Sequence, residues 1–289
     1  MIDAARLNGD TPLTPEQSAA YLAYHAARNR RAHRESLTIK TFRGPAPHVD
    51  CTRGSSPSRV ATCHFFQHVA TIARNHFADN PVTILDVGCG RGNALEPFAN
   101  AGLRGEYIGI DIARHPAWSD APLAGFTRRL ILGDIHSIDP RTLGAADIVT
   151  SCTALEHFRD DNAAVQLLVS LTKPRGLQAH AVPGEFALKL YGLHGWRQYA
   201  PIDLATLFPT ANFYRYGGPL SNRWHYTAIT ARLVRGKKML QESHPYLYSI
   251  LRDAAMLADR LMGDTRPSLY GVLWFPHGES ASSTLRSAA

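Results

Sequence analysis

The chain has 289 residues, 45% of them hydrophobic and 19% charged, which is ample for a complete core. With 31 Lys and Arg against 24 Asp and Glu the formal charge is +7, a balance that suits an anionic partner without identifying a nucleic-acid binder. Cys51, Cys63, Cys89 and Cys152 match no zinc spacing and read as reduced packing residues; no apolar run reaches the ~18 residues of a membrane span, and no signal-peptide core is seen. A cytoplasmic protein is expected, with one main domain plus additions.

Residues 1 to about 12 are polar and read as loose. Thr14-Pro15-Glu16-Gln17 starts a helix, with Thr as N-cap, Pro at the first helical position and Gln17 placed for a capping box. Its basic end, Arg28 to Arg34, suits a helix C-terminus and reads as a solvated face rather than a nucleic-acid grip. After an irregular stretch from Glu35 to Arg59, Ser56-Pro57 opens a second helix to about Phe77, whose apolar face of Val60, Phe65, Phe66, Val69, Ile72 and Ala73 is suited to cover a sheet. The connector Arg53-Gly54-Ser55 is placed to fold over a ligand or merely to join two helices. Residues 1–57 thus form an N-terminal extension to a main domain over 58–277.

Val82 to Val87 is a short apolar run rich in β-branched residues, and Gly88, Gly90 and Gly92 break it before a segment able to turn helically. The spacing is G-x-G-x-G, with Asn93 where a dinucleotide fingerprint needs its third glycine, and no Gly-Lys-Ser/Thr follows. Asp86, just before the turn, would repel a pyrophosphate and attract a cation such as a sulfonium or ammonium group.

Leu85-Asp86-Val87-Gly88-Cys89-Gly90-Arg91-Gly92 resembles the first motif of the class I S-adenosylmethionine (SAM)-dependent methyltransferases. The resemblance runs through about half the chain: Tyr107 to Asp111 is a second strand ending in an acid about 25 residues after Asp86, Leu132-Gly-Asp-Ile135 is similar to the third motif, and Ala146 to Cys152 followed by Ala154-Leu-Glu-His157 to the fourth strand and its ending. Leu171 to Pro183 resembles the turn and fifth strand, with Arg175 where the family usually has glycine. The resemblance implies an α/β fold, a doubly wound, seven-stranded, mostly parallel sheet, with SAM as cofactor. It also implies cofactor contacts from Asp86, Gly88, Cys89, Gly90, Asp111, Ile112, Asp134, Ile135 and Cys152.

Strands are predicted at 82–87, 106–111, 129–133, 146–151, 177–182, 213–216 and 269–275. Between the last two lies a long insert, 219–264, in which Ser221 is predicted to cap a helix through about Val234. Residues 246–262 carry Leu247, Ile250, Leu251, Ala254, Leu257, Ala258 and Leu261 at helical spacing; with few and mixed charges they read as a core-facing or lid helix rather than a membrane-surface one. Residues 278–289 are Ser/Ala-rich and read as a disordered tail.

His157, just beyond the fourth strand, is the candidate catalytic base, its ordinary pKa of ~6.5 suiting that work. His194, Arg197 and Tyr199 form a candidate acceptor-binding cluster, with Arg197 placed to clamp a phosphate or carboxylate; packing roles for Trp196 and Tyr199 stay open. No metal site is predicted: Thr153 stands where the metal-using Glu-x-x-Glu-His pattern has its first Glu. The amino-base pattern Asn/Asp-Pro-Pro-Tyr/Phe and the carbon-5 pyrimidine Pro-Cys pair are also absent, so nucleic acid is not the favoured acceptor. The reading is SAM-dependent methylation of a small-molecule or glycan-precursor acceptor, at oxygen, with the insert shaping the pocket. An RNA methyltransferase and a catalytically silent SAM-fold partner remain the alternatives.

Overall fold

Eight strands form one sheet with the glycine turn at its middle. The computed structural model describes residues 2–45, 54–119 and 121–278; Cys51, Arg53 and the tail from 279 lie outside the described residues. The strands are β1 (Phe42–Arg43), β2 (Val82–Val87), β3 (Gly105–Asp111), β4 (Phe126–Leu132), β5 (Ala146–Cys152), β6 (Thr172–Pro183), β7 (Asn212–Tyr216) and β8 (Leu269–Trp274), in the order β1-β7-β8-β6-β5-β2-β3-β4. All pairings are parallel except those of β8, which runs antiparallel to β6 and β7. The doubly wound sheet expected from the sequence is present, and the additional strand is the two-residue β1 at the edge, inside the stretch that reads as irregular.

The helices are α1 (Pro15–Glu35), α2 (Pro57–Phe77), α3 (Leu95–Asn100), α4 (Pro140–Leu143), α5 (Asp161–Ser170), α6 (Leu188–Tyr191), α7 (Pro201–Leu207), α8 (Pro219–His225), α9 (Ala231–Val234), α10 (Leu240–Ser243) and α11 (Pro245–Leu261). At the start of α1 the capping box forms as read: the Gln17 amide donates to Thr14 Oγ1 at 3.2 Å, and the Thr14 amide to Gln17 Oε1 at 2.9 Å. Alternation along β2 sends Ile84 to one face and Leu85 to the other. Ile84 joins Phe65 and Val69 of α2 with Leu177 and Leu273; Leu85 joins Val149, Leu168 of α5 and Leu204 of α7. Both faces of the sheet are therefore covered, which a parallel sheet requires.

Two features of the insert differ from expectation. The helix foreseen from Ser221 to Val234 starts earlier, at Pro219, and is interrupted by a π-helical stretch, Tyr226–Thr230. Ser221 is not its cap: its hydroxyl accepts from the Gly218 amide at 3.1 Å, while Asp259 of α11 accepts from the amides of Leu220 at 2.9 Å and Ser221 at 2.7 Å. The second difference follows from the first. α11 turns Tyr248, Ser249, Arg252 and Asp259 inward and leaves Leu247, Ile250, Leu251, Leu257 and Leu261 exposed, so the apolar face expected to seek the core faces water. The polar face is held inside because Asp259 supplies the orphan amides at the start of α8 and Arg252 donates to the Ser55 carbonyl at 3.0 Å. Among the described residues no helix is long and apolar enough to cross a membrane.

Candidate active site

The glycine turn follows β2 at the carboxyl edge of the sheet, where open α/β sheets bind ligands. Gly88, Gly90 and Gly92 all have positive φ, 70°, 50° and 78°. At Gly88 a Cβ would lie 2.4 Å from that of Ala154, so this glycine lets the segment after β5 come close; a Cβ on Gly90 would meet nothing within 4 Å, so Gly90 opens onto free space. Ile110 and Asp111 at the end of β3 hold the turn: the Gly88 amide donates to the Ile110 carbonyl at 2.8 Å and the Gly90 amide to Asp111 Oδ2 at 2.8 Å. Asp111 Oδ1 accepts from the Ala113 amide at 3.0 Å.

Ile112, next along, is 77% exposed. Beyond β4, Asp134 is exposed and accepts from the His136 amide at 3.0 Å, with Ile135 buried behind it. An open glycine turn, two carboxylates at successive strand ends and an exposed aliphatic side chain between them fit an adenosyl group: carboxylates for ribose hydroxyls and a base amine, Ile112 for the flat face of the base.

Asp86 is placed differently from what its position suggests. It is 1% exposed and lies beneath the turn, Oδ2 accepting from the Tyr107 hydroxyl at 2.6 Å and Oδ1 from Thr150 at 3.0 Å. Burial pushes its pKa up to about 6, against the pull of the two hydroxyls. Any effect on a cation in the cleft is therefore exerted through the sheet end rather than by contact. Burial also pushes the Cys89 thiol up, and that of Cys152 to about 12, so neither is a ready nucleophile.

The other side of the cleft is built from distant parts of the chain. His157 ends the single turn Leu155–His157 after β5, and its Nδ1 lies 2.7 Å from Asp10 Oδ2. Asp10 Oδ1 accepts from the Gly195 amide at 2.9 Å, and the Gly9 amide donates to the Gly195 carbonyl at 2.8 Å, so the N-terminal segment expected to be loose is clasped onto the site. Glu156 is fully buried, and neither carboxylate oxygen has a hydrogen-bond partner among the described residues. His194 Nε2 stands 3.6 Å from Glu156 Oε1 and His157 Nε2 3.9 Å from it, with the two imidazoles edge to face at 4.7 Å. The neighbouring Glu156 carboxylate raises the pKa of His194 against the effect of burial. Asp10, His157 and His194 offer ligand atoms within 4.8 Å of one another, a spacing open to a cation; the Asp10–His157 hydrogen bond uses two of the same groups.

The expected trio of His194, Arg197 and Tyr199 is split. Arg197 is ion-paired with Asp161 and donates to the Arg159 carbonyl at 2.5 Å, while Tyr199 is buried and donates to Asp161 Oδ2 at 2.9 Å. Both are engaged in fastening α5, so the anion-clamp expectation for Arg197 and the acceptor-contact expectation for Tyr199 lose their free groups; only His194 stays beside Asp10, Glu156 and His157. Residues that sequence reasoning missed are Asp10, which sits 147 positions from its partner, and Trp118, whose indole N–H donates to the Gly90 carbonyl at 2.6 Å. No periodicity marks either one.

Residues 85–179 match a family profile described as a methyltransferase domain. A ubiquinone biosynthesis O-methyltransferase of Rhodopseudomonas palustris (strain TIE-1) is 31% identical over 127 residues, 41% of this chain and 48% of that protein. One of the same description from Methylocella silvestris is 27% identical over 222 residues, 63% of this chain and 84% of that protein. The chain spans about half the length of the first of these relatives. Among solved structures, a 1,6-didemethyltoxoflavin-N1-methyltransferase of Burkholderia thailandensis superposes with a TM-score of 0.38 at 19% identity, covering 68% of this chain and 79% of that one. The plantazolicin methyltransferase BpumL in complex with S-adenosylhomocysteine gives 0.45 at 13% identity, covering 90% of each chain.

Proposed function

We propose that this chain, which belongs to the class I SAM-dependent methyltransferases, transfers the methyl group of SAM to an oxygen of a small-molecule or glycan-precursor acceptor. The Asp10–His157 hydrogen bond at the carboxyl end of β5 carries the reading. An acceptor hydroxyl needs a base, and an imidazole whose Nδ1–H is held by a carboxylate presents Nε2 as the proton acceptor. Buried Glu156, beside both imidazoles, stabilises the positive charge that the proton brings.

SAM supplies the electrophilic methyl group. The chain's own work is to hold the acceptor oxygen in line with it, take the proton at His157 Nε2, and bind the adenosyl part through Asp111, Ile112 and Asp134. The small-molecule acceptor draws support from the ubiquinone-pathway relatives, which are described as O-methyltransferases.

The test is a turnover screen with labelled SAM against phenolic metabolites, glycan precursors and RNA, followed by His157→Ala and Asp10→Asn on the acceptor found. His157→Ala is expected to lower kcat by roughly 10²- to 10⁴-fold, with S-adenosylhomocysteine affinity by calorimetry unchanged. Full turnover in His157→Ala would remove the base role, and methylation confined to RNA would replace the acceptor class.

A further inference from the structure

The outward face of α11 needs an occupant. Tyr246, Leu247, Ile250, Leu251, Leu257, Leu261 and Met262 are all exposed, from 40% at Leu251 to 79% at Leu261. At 3.6 residues per turn they fall within an arc of roughly 160°. Eleven of the nineteen exposed large hydrophobics among the described residues lie between Leu220 and Met262, including Leu233 at 56% and Val234 at 83%. Single exposed leucines are ordinary, but a contiguous stripe of them on one helix marks an interaction surface.

The helix cannot hide this stripe by rolling. Half a turn would bring the leucines inward but strand Arg252 and Asp259, which now serve the Ser55 carbonyl and the amides of Leu220 and Ser221. The packing of Trp224 against Tyr248 would go with them.

Charge decides the occupant. From Pro219 to Gln241 the insert contains Arg223, Arg232, Arg235, Lys237 and Lys238 and no acidic residue. Arg235, Lys237 and Lys238 are exposed, on a turn that leads into Met239 and Leu240, which pack against the cluster of Ala228, Ile229 and Tyr248, the last of these from α11. An anionic bilayer would neutralise these cations while taking up the leucines.

We propose that the insert docks the protein on an anionic membrane surface, with the α11 stripe at the boundary of headgroups and acyl chains and the basic turn among the headgroups. The insert follows the carboxyl end of β7, parallel through the sheet to β2 and β5, so the docked side is the side of the glycine turn. Thr230 also donates to the Leu190 carbonyl at 2.8 Å, tying the insert to the segment that leads to His194. The docking stands on its own, apart from the methyl-transfer reading.

Flotation of the full chain with vesicles tests it, using phosphatidylglycerol mixed with phosphatidylcholine against phosphatidylcholine alone. The wild type is expected to float with the anionic vesicles and to be released by salt. Leu247→Ser/Leu257→Ser/Leu261→Ser and, separately, Lys237→Glu/Lys238→Glu should each weaken partitioning about tenfold or more, with Tm retained. A Leu247→Cys variant carrying an environment-sensitive dye should shift to the blue on anionic vesicles, which reads the face even if the serine variant folds poorly. No flotation of the wild type, flotation unchanged in the charge variant, an unshifted dye, or a stable dimer by light scattering that the serine variant dissociates would each overturn the proposal.

Discussion

Asp111 and Asp86 are both acids at strand ends, two register positions apart on paired strands, yet they do opposite work. Asp111 stays at the edge of the cleft with Oδ2 on the Gly90 amide and Oδ1 on the Ala113 amide, beside the open space in front of Gly90. Asp111→Ala is expected to weaken SAM binding by about 2 kcal/mol, since a charged hydrogen-bond partner is lost, while Tm changes little. Calorimetry reads the first and a thermal melt the second; an unchanged affinity would reduce Asp111 to a brace for the turn. The resemblance to known motifs could pick out both acids because it reads position. It could not say that Tyr107 and Thr150, two ordinary strand residues, would turn hydroxyls onto Asp86 and draw it under the turn. Asp10 was beyond reach for a related reason: nothing local distinguishes an acid in a polar leader until the fold sets Gly195 and His157 against it.

At the scale of elements, capping chemistry was the most legible signal. Thr14-Pro15 and Ser56-Pro57 start α1 and α2 where read, because a hydroxyl that satisfies an orphan amide acts within a few residues. The apolar stripe of α11 was legible as a helix but not as to the face it would bury. Periodicity places the leucines together; only the neighbouring helix start, short of amide acceptors, decides that Asp259 goes inside. This inversion has a stability signature. Asp259→Ala should cost about 2 to 3 kcal/mol, because the buried Ser221 amide and the half-buried Leu220 amide lose a charged acceptor, whereas Leu257→Ser should stay within about 0.5 kcal/mol. Urea unfolding of both variants checks the contrast, and a larger loss at Leu257 than at Asp259 would mean that the stripe is covered in solution.

The whole molecule carries its titration record in the covered faces of the sheet and in the insert. His25, His64, His180 and His225 have pKa values lowered by burial to about 4, 4, 3 and 4. A folded pKa below the unfolded value means that the unfolded chain takes up the proton first, so each of these groups withdraws stability as the pH falls from about 6.5 toward 4. Asp86 and Asp264 act the other way: burial raises both to about 6, the native chain takes up their protons first, and acidification from about 6 to 4 adds stability. The four histidines favour the unfolded chain as they take up protons, opposed by Asp86, Asp264 and Glu185, whose carboxyl burial also raises. Urea midpoints are therefore expected to fall as the pH drops below about 6. His180 isolates one of these terms, since it is fully buried between Ser151 at 2.8 Å and Gln178 at 3.0 Å. His180→Gln, able to accept or donate but not to titrate, should flatten the slope by about one proton, roughly 1.4 kcal/mol per pH unit. An unchanged slope in a folded His180→Gln variant would place the acid sensitivity elsewhere.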